Sequence, residues 1–233
     1  MARRLALAVA LLLCAAPLRA DPEHMLVPDQ YDMLKILPPP PAPDTPAARA
    51  ELAELQHDQA TSTPAQLAAA TYDDAHEDGT IFADAIGPDY DLAKLPATAY
   101  MLHVVIRNEA HMSAAVKTAF HRDRPWIVDP SIKTCSLHRP GPAANSYPSG
   151  HSSVGYAMAT VLASLMPTKT EAIMARAQVF AENRIVCGYH FRSDIEAGKT
   201  FGTFVANELL HNPQFQPQYQ AAAAELHAAH LAP

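Results

Sequence analysis

Glycine and cysteine are both scarce in this chain, at 8 and 3 of 233 residues. Three cysteines exclude a small scaffold stapled by disulfides, and without a CxxC pair, an HExxH motif or a Cys-rich cluster there is no metal site of recognisable spacing. Long runs of lysine and arginine are missing too. Seventeen basic residues face 24 acidic ones, a net charge of −7, which argues against nucleic acid as the main partner. Beyond residue 20 no stretch approaches the roughly 18 to 20 uninterrupted apolar residues of a membrane-spanning helix, and the alternating pattern of a half-buried strand is almost absent. What is there is a chain 49% hydrophobic with 21 prolines, enough to bury a core in one domain.

The first twenty residues read as a secretory signal: Arg3 and Arg4 precede the apolar run Leu5 to Ala16, and small residues end at Ala20 before the acidic Asp21. Lipidation at Cys14 is the weaker reading, because Leu-Leu-Leu precedes it where a lipoprotein signal places a small residue. The expected division is therefore a signal peptide over 1–20 and a single domain over 21–233, with no membrane association once the signal is removed. That removal leaves 14 basic against 24 acidic residues, a charge of −10. Cys135 and Cys187 then remain as an even pair, open to one disulfide in an oxidising compartment or to two separately buried thiols.

From residue 37 to 46 the sequence runs LPPPPAPDTP, which must be extended because proline fixes its own φ and disfavours helix in the residue before it. Long Ala-, Leu- and Met-rich segments follow at about 46–59, 64–77, 96–122, 150–165, 168–186, 192–211 and 217–231, each with helical periodicity and broken by Pro or Gly. Met101, Val105, Met112, Val116 and Ala119 form the clearest apolar stripe. The expectation is an all-α, compact helical domain. Its C-terminal AAAAELHAAHLA reads as a frayed helical tail, on which His227 and His230 share a face without a third ligand.

Three short blocks carry chemistry. Lys117 and Arg124 lie seven residues apart; if their helix continues to Asp123, both cations project from one face about 10 Å apart, a clamp for one anion, with Pro125 ending the helix. Pro148-Ser149-Gly150-His151 precedes an apolar helical segment, so Ser149 and Gly150 would sit at a helix N-terminus, where free N–H groups and the dipole favour an anion. His151 beside them could donate a proton to a leaving oxygen. In the third block, Arg184 precedes His190 and Asp194, whose spacing of four stacks two side chains on one helical face, so that the carboxylate orients the imidazole. Each block alone is equally an ordinary surface or capping feature. Together they supply charge clamping, a nucleophile and a leaving-group acid, which is what phosphoryl transfer requires.

In this order, Lys-x6-Arg-Pro, Pro-Ser-Gly-His and Arg-x5-His-x3-Asp resemble the three motifs of the type 2 phosphatidic acid phosphatase and haloperoxidase superfamily. Leu37 to Ala42, Asn145 to His151 and Cys187 to His190 are similar in wording to its bacterial class A nonspecific acid phosphatases. The resemblance implies a secreted, metal-independent phosphatase without cofactor. It makes His190 the nucleophile that forms a phosphohistidine, Asp194 its orienting partner, and His151 the acid and then the base. Lys117, Arg124, Ser149, Gly150 and Arg184 would bind the phosphate. Small phosphate monoesters are the implied substrates, phosphotransfer to alcohols a side activity, the periplasm the implied compartment, and homo-oligomerisation is left open. One departure from the family pattern is Asn183, where Ser is usual, which puts substrate orientation in question. Tyr72, Glu109, Trp126 and Tyr147 are candidates for the leaving-group side. Rival readings are a vanadium-dependent haloperoxidase, disfavoured by the short chain; a lipid phosphatase, whose membrane helices are missing; and a noncatalytic phospholigand-binding module.

Overall fold

The computed structural model describes residues 23–136 and 145–233, so the signal-peptide reading lies outside the described residues. Seven long helices carry the fold: α1 (Pro46–Thr61), α2 (Pro64–Ala75), α3 (Pro96–Phe120), α4 (Gly150–Leu165), α5 (Thr170–Val186), α6 (Arg192–His211) and α7 (Gln216–Ala228). Short helical turns connect them, and no strand occurs among the described residues. The all-α expectation holds, with helix limits displaced by a few residues.

Local chemistry sets the helix starts. Pro46, Pro64 and Pro96 occupy first turns, where a missing N–H costs nothing. Thr45 caps α1 through Ala48 N, and Thr63 and Gln66 form a reciprocal capping box on α2. α3 lacks a side-chain cap of its own. Glu225 of α7 supplies one, accepting from Ala97 N at 2.9 Å and from Thr98 N and Oγ1 at 2.7 Å each, a carboxylate at the positive end of a helix dipole. The C-terminal segment is thus not a frayed tail: Ala222 and Leu226 are buried against α3. α7 stops at Ala228 and His230 turns left-handed at φ 57°, so His227 and His230 share no helical face.

The core gathers Met101, Val105, Met112 and Val116 of α3 with the apolar faces of α4, α5 and α6. Ala119, the last residue of the expected stripe, is exposed, because α3 has by then run beyond the core to border a groove under Pro39–Asp44. That extended segment is anchored by buried Leu37 and by Tyr147, whose hydroxyl donates to the Pro38 carbonyl. α4 and α6 make the most extensive helix pair. A Cβ at Gly202 would come within 2.0 Å of the Ser153 carbonyl oxygen, so glycine here lets the two backbones meet. Nearer the helix starts, Ser149 N donates to the Asp194 carbonyl at 2.9 Å, which sets the first turn of α4 beside the first turn of α6, and these carry Ser149 to His151 and Asp194.

Candidate active site

Cys135 and Cys187 are joined in a disulfide that closes a separation of 52 residues around the second block and the start of the third, with His190 and Asp194 just beyond it. Just past it Gly188 turns left-handed at φ 69°, and a Cβ there would meet the Lys133 carbonyl oxygen at 2.3 Å. The chain then delivers Tyr189 and His190 to a cavity of about 380 Å³ lined by Asp74, Lys117, Arg124, Ser136, Gly150, His151, Arg184, Tyr189 and His190. Six of the eight proposed catalytic and phosphate-binding residues line this cavity. Ser149 and Asp194 lie behind its wall, fully buried.

Lys117 and Arg124 reach the cavity by a route the spacing did not predict. α3 ends at Phe120 with His121 left-handed, and Arg124 is the N-cap of a separate turn, Pro125–Val128, so the two cations share no helix face. Nothing in the local sequence before Pro125 signalled that break. Lys117 Nζ donates to the carbonyls of Asn145 (3.1 Å) and Pro148 (2.6 Å), fixing the loop that leads into α4. Burial, with Arg124 nearby, lowers its pKa to about 8. The Arg124 fork is held by Asn145 Oδ1, at 3.2 Å from Nε and 3.1 Å from Nη2. Its Nη1 lies 3.0 Å from the Tyr189 carbonyl and 2.8 Å from His190 Nε2.

A guanidinium can only donate. His190 Nε2 therefore accepts, carries a lone pair, and leaves the ring proton on Nδ1. His190 is 2% exposed, and burial together with Arg124, Lys117 and Arg184 holds its pKa well below the ordinary histidine value. Nδ1 lies 3.5 Å from Asp194 Oδ2, longer than a hydrogen bond. Nor do the two residues stack on one helical face: His190 precedes α6, whose N-cap is Phe191, and Asp194 is its third residue, accepting from Phe191 N at 2.8 Å. Asp194 also accepts from Ser146 Oγ and Arg122 Nη1, each at 2.6 Å. Arg122 in turn donates to Glu51 Oε2 at 2.6 Å and Ser193 Oγ at 2.7 Å. This buried Glu51–Arg122–Asp194 chain was missed in the sequence, although Arg122 stands inside the first block.

Ser149 caps α4, its Oγ accepting from Ser152 N at 3.4 Å and Ser152 Oγ at 3.1 Å. Gly150 and His151 follow as the first two helical residues, whose N–H groups have no partner within the helix. Burial, then Arg184 and His190, holds the His151 pKa well below its ordinary value. The ring stacks on Phe180 at 5.6 Å, with Nδ1 3.2 Å from Glu77 Oε1 and a buried Nε2 without a hydrogen-bond partner. Arg184 Nη1 donates to Asp74 Oδ1 at 2.9 Å and the guanidinium covers the Tyr189 ring at 4.6 Å. Asp74 and Glu77, from the end of α2 and the turn after it, carried no signal that they would meet these blocks.

Asn183 faces elsewhere: its Nδ2 donates to Asp73 Oδ2 at 2.7 Å, and Asp73 also pairs with Arg176, so this residue ties α5 to α2 outside the cavity lining. Of the leaving-group candidates, Tyr72 is exposed and stacks on His76, Trp126 packs edge-on against Tyr189, and Tyr147 anchors Pro38. Glu109 is buried, and burial, partly offset by Ser153, raises its pKa to about 8. None of the four lines the cavity.

Residues 96–217 match the family model described as the PAP2 superfamily. An acid phosphatase of Zymomonas mobilis is 32% identical over 208 residues, covering 85% of this chain and 76% of its own. A non-specific acid phosphatase of Salmonella typhimurium is 29% identical over 200 residues, covering 82% and 78%. Among solved structures, a transmembrane PAP2 type phosphatidylglycerolphosphate phosphatase from Bacillus subtilis shares the fold, with a TM-score of 0.54 and 16% identity over 71% of this chain and 85% of that one. No helix among the described residues is long and apolar enough to cross a membrane.

Proposed function

Given that the chain belongs to the PAP2 superfamily and is an acid phosphatase, we propose that it hydrolyses small phosphate monoesters through a phosphohistidine at His190. The observation that carries this reading is the 2.8 Å contact from Arg124 Nη1 to His190 Nε2. It keeps the lone pair on the nitrogen that must attack, and the lowered pKa keeps that nitrogen unprotonated in acid, so that phosphorus can take the place of the Arg124 contact.

The geometry supports the following steps. A phosphoryl group in the cavity meets Lys117, Arg124 and Arg184, with the first N–H groups of α4, held by the Ser149 cap at Gly150, directed at its oxygens. The Nε2 lone pair forms an N–P bond as the P–O ester bond breaks, and the departing oxygen takes both electrons of that bond and a proton from His151. Asp194, 3.5 Å away, balances the positive charge that develops on the His190 ring. Water then attacks phosphorus, giving its proton to His151, and the N–P bond breaks to release phosphate and restore His190. An alcohol in place of water gives phosphotransfer. The cations supply the charge stabilisation without a metal ion.

Export to the periplasm is part of the same proposal, supported by the signal-like leader and by the disulfide. The test is hydrolysis of an aryl phosphate by the purified protein in chelator across acid to neutral pH, with His190→Ala beside it. The expected result is turnover in chelator that the variant abolishes. Loss in chelator, restored by a divalent ion, would refute the metal-independent reading.

A further inference from the structure

Glu77 enters neither the motifs nor the cavity lining, yet it is the carboxylate placed against His151. It stands two residues past α2, its side chain 44% exposed, with Oε1 3.2 Å from His151 Nδ1. Besides Glu77, the Asp74 backbone hydrogen-bonds the imidazole, one ring face lies on Phe180, and the buried Nε2 has no hydrogen-bond partner. Around the ring stand Arg184, His190 and Arg124, which all work against a proton on it, and Asp74, whose backbone hydrogen-bonds the ring and favours the proton while its carboxylate is engaged by Arg184. A donor that must hand a proton to one oxygen needs its two nitrogens distinguished. A carboxylate on one of them does this, since it accepts from that N–H and leaves the other as the proton to be transferred.

We propose that Glu77 is the positioning residue of the acid half: it accepts from His151 Nδ1–H, so that the proton delivered to the leaving oxygen sits on Nε2. The inference rests on the reading of His151 as proton donor given above. As the P–O bond breaks, its electron pair stays on the ester oxygen, which takes the Nε2 proton. The ring becomes neutral with its Nδ1–H still on Glu77, and the attacking water later returns a proton to Nε2. Glu77 itself forms no bond to substrate.

A donor's contribution depends on how badly the leaving group needs a proton. p-Nitrophenolate leaves without one, whereas the alkoxide of glycerol phosphate does not. The experiment measures kcat/KM for both substrates in the full-length protein and in Glu77→Ala, Glu77→Gln and His151→Ala. The ratio of the two rates is unaffected by any fraction of unfolded protein, which lowers both equally. In Glu77→Ala the alkyl-to-aryl ratio is expected to fall about 10-fold, in the same direction as in His151→Ala. Glu77→Gln, whose amide oxygen still accepts, recovers most of it. A shifted ratio in His151→Ala with a wild-type ratio in Glu77→Ala would overturn the role of Glu77 alone. An unchanged ratio in His151→Ala would overturn the proton-donor reading, and this inference with it.

Discussion

The two halves of the phosphate cavity are built differently. Around His190, the proposed nucleophile, charged side chains form a linked frame: Arg124 engages Nε2, Asp194 stands 3.5 Å from an Nδ1 that has no hydrogen-bond partner, and Asp194 is itself held by Arg122, Ser146 and the Phe191 amide, with Glu51 bracing Arg122. Around His151 the frame is lighter, with Nδ1 at Glu77, the Asp74 backbone hydrogen-bonding the ring, Phe180 stacked on it and Arg184 joined to Asp74 through Nη1, while His151 Nε2 and Arg184 Nε have no hydrogen-bond partner. In the proposed mechanism His190 must aim one lone pair at phosphorus for every substrate, so a rigid frame suits it. His151, as the proposed acid, must meet whatever alcohol departs, and a half-exposed partner beyond α2 leaves room for different ones.

The comparison breaks most visibly at the nucleophile. His190→Ala is expected to cost at least about 10³-fold in kcat/KM on any phosphate monoester, whatever its leaving group; steady-state assays on an aryl and an alkyl ester check this. Removing the disulfide with Cys135→Ser and Cys187→Ser releases a loop of 52 residues, worth about 4 kcal/mol in the chain-entropy picture, to be read from urea unfolding. Arg124→Lys keeps the charge but loses the fork that holds Asn145, Tyr189 and His190 together, and should lower kcat about 100-fold with a smaller change in KM.

The smallest effect separates the cavity from the interior beside it. Glu109, with its pKa raised by burial to about 8, contributes stability that is lost as pH rises from its ordinary value of 4.5 towards 8. Glu109→Gln removes that term, so its Tm relative to wild type should climb steadily between pH 5 and pH 8. His190 and His151 act with the opposite sign: their lowered pKa values remove stability as pH falls below the ordinary 6.5. Lys117, lowered to about 8, loses its charge above that pH and weakens the phosphate clamp. Activity is therefore expected to fall as pH rises, first as His151 loses the proton it must donate and again through pH 8 as Lys117 loses its charge, in wild type and in Glu109→Gln alike, as pH–rate profiles would show.

Much of this was legible in the sequence because its signals are local. Proline at the first turns and apolar spacing mark the seven helices, and six residues of the three blocks line the cavity together. The end of α3 was not legible: His121 breaks it in a left-handed conformation with no glycine to announce the turn, so the clamp came to be read as one helix face. The spacing of His190 and Asp194 misled in the same way, because a helix starts between them. Glu51, Asp74 and Glu77 were invisible for another reason. They come from α1, α2 and the turn after α2, and reach the blocks only through tertiary packing, which periodicity does not encode. The C-terminal alanine run reads as a frayed tail because its one informative residue, Glu225, acts on a helix more than a hundred residues earlier.

The central claim is that the phosphoryl group passes through His190 Nε2. Rapid quenching of the enzyme during turnover of an aryl phosphate in chelator, followed by mass spectrometry of its peptides under alkaline conditions, tests it directly. The account predicts an acid-labile phosphoryl group on His190, absent from His190→Ala and retained longer in His151→Ala, which lacks the base that activates water. A phosphoryl group on another residue, or undiminished turnover in His190→Ala, would contradict it.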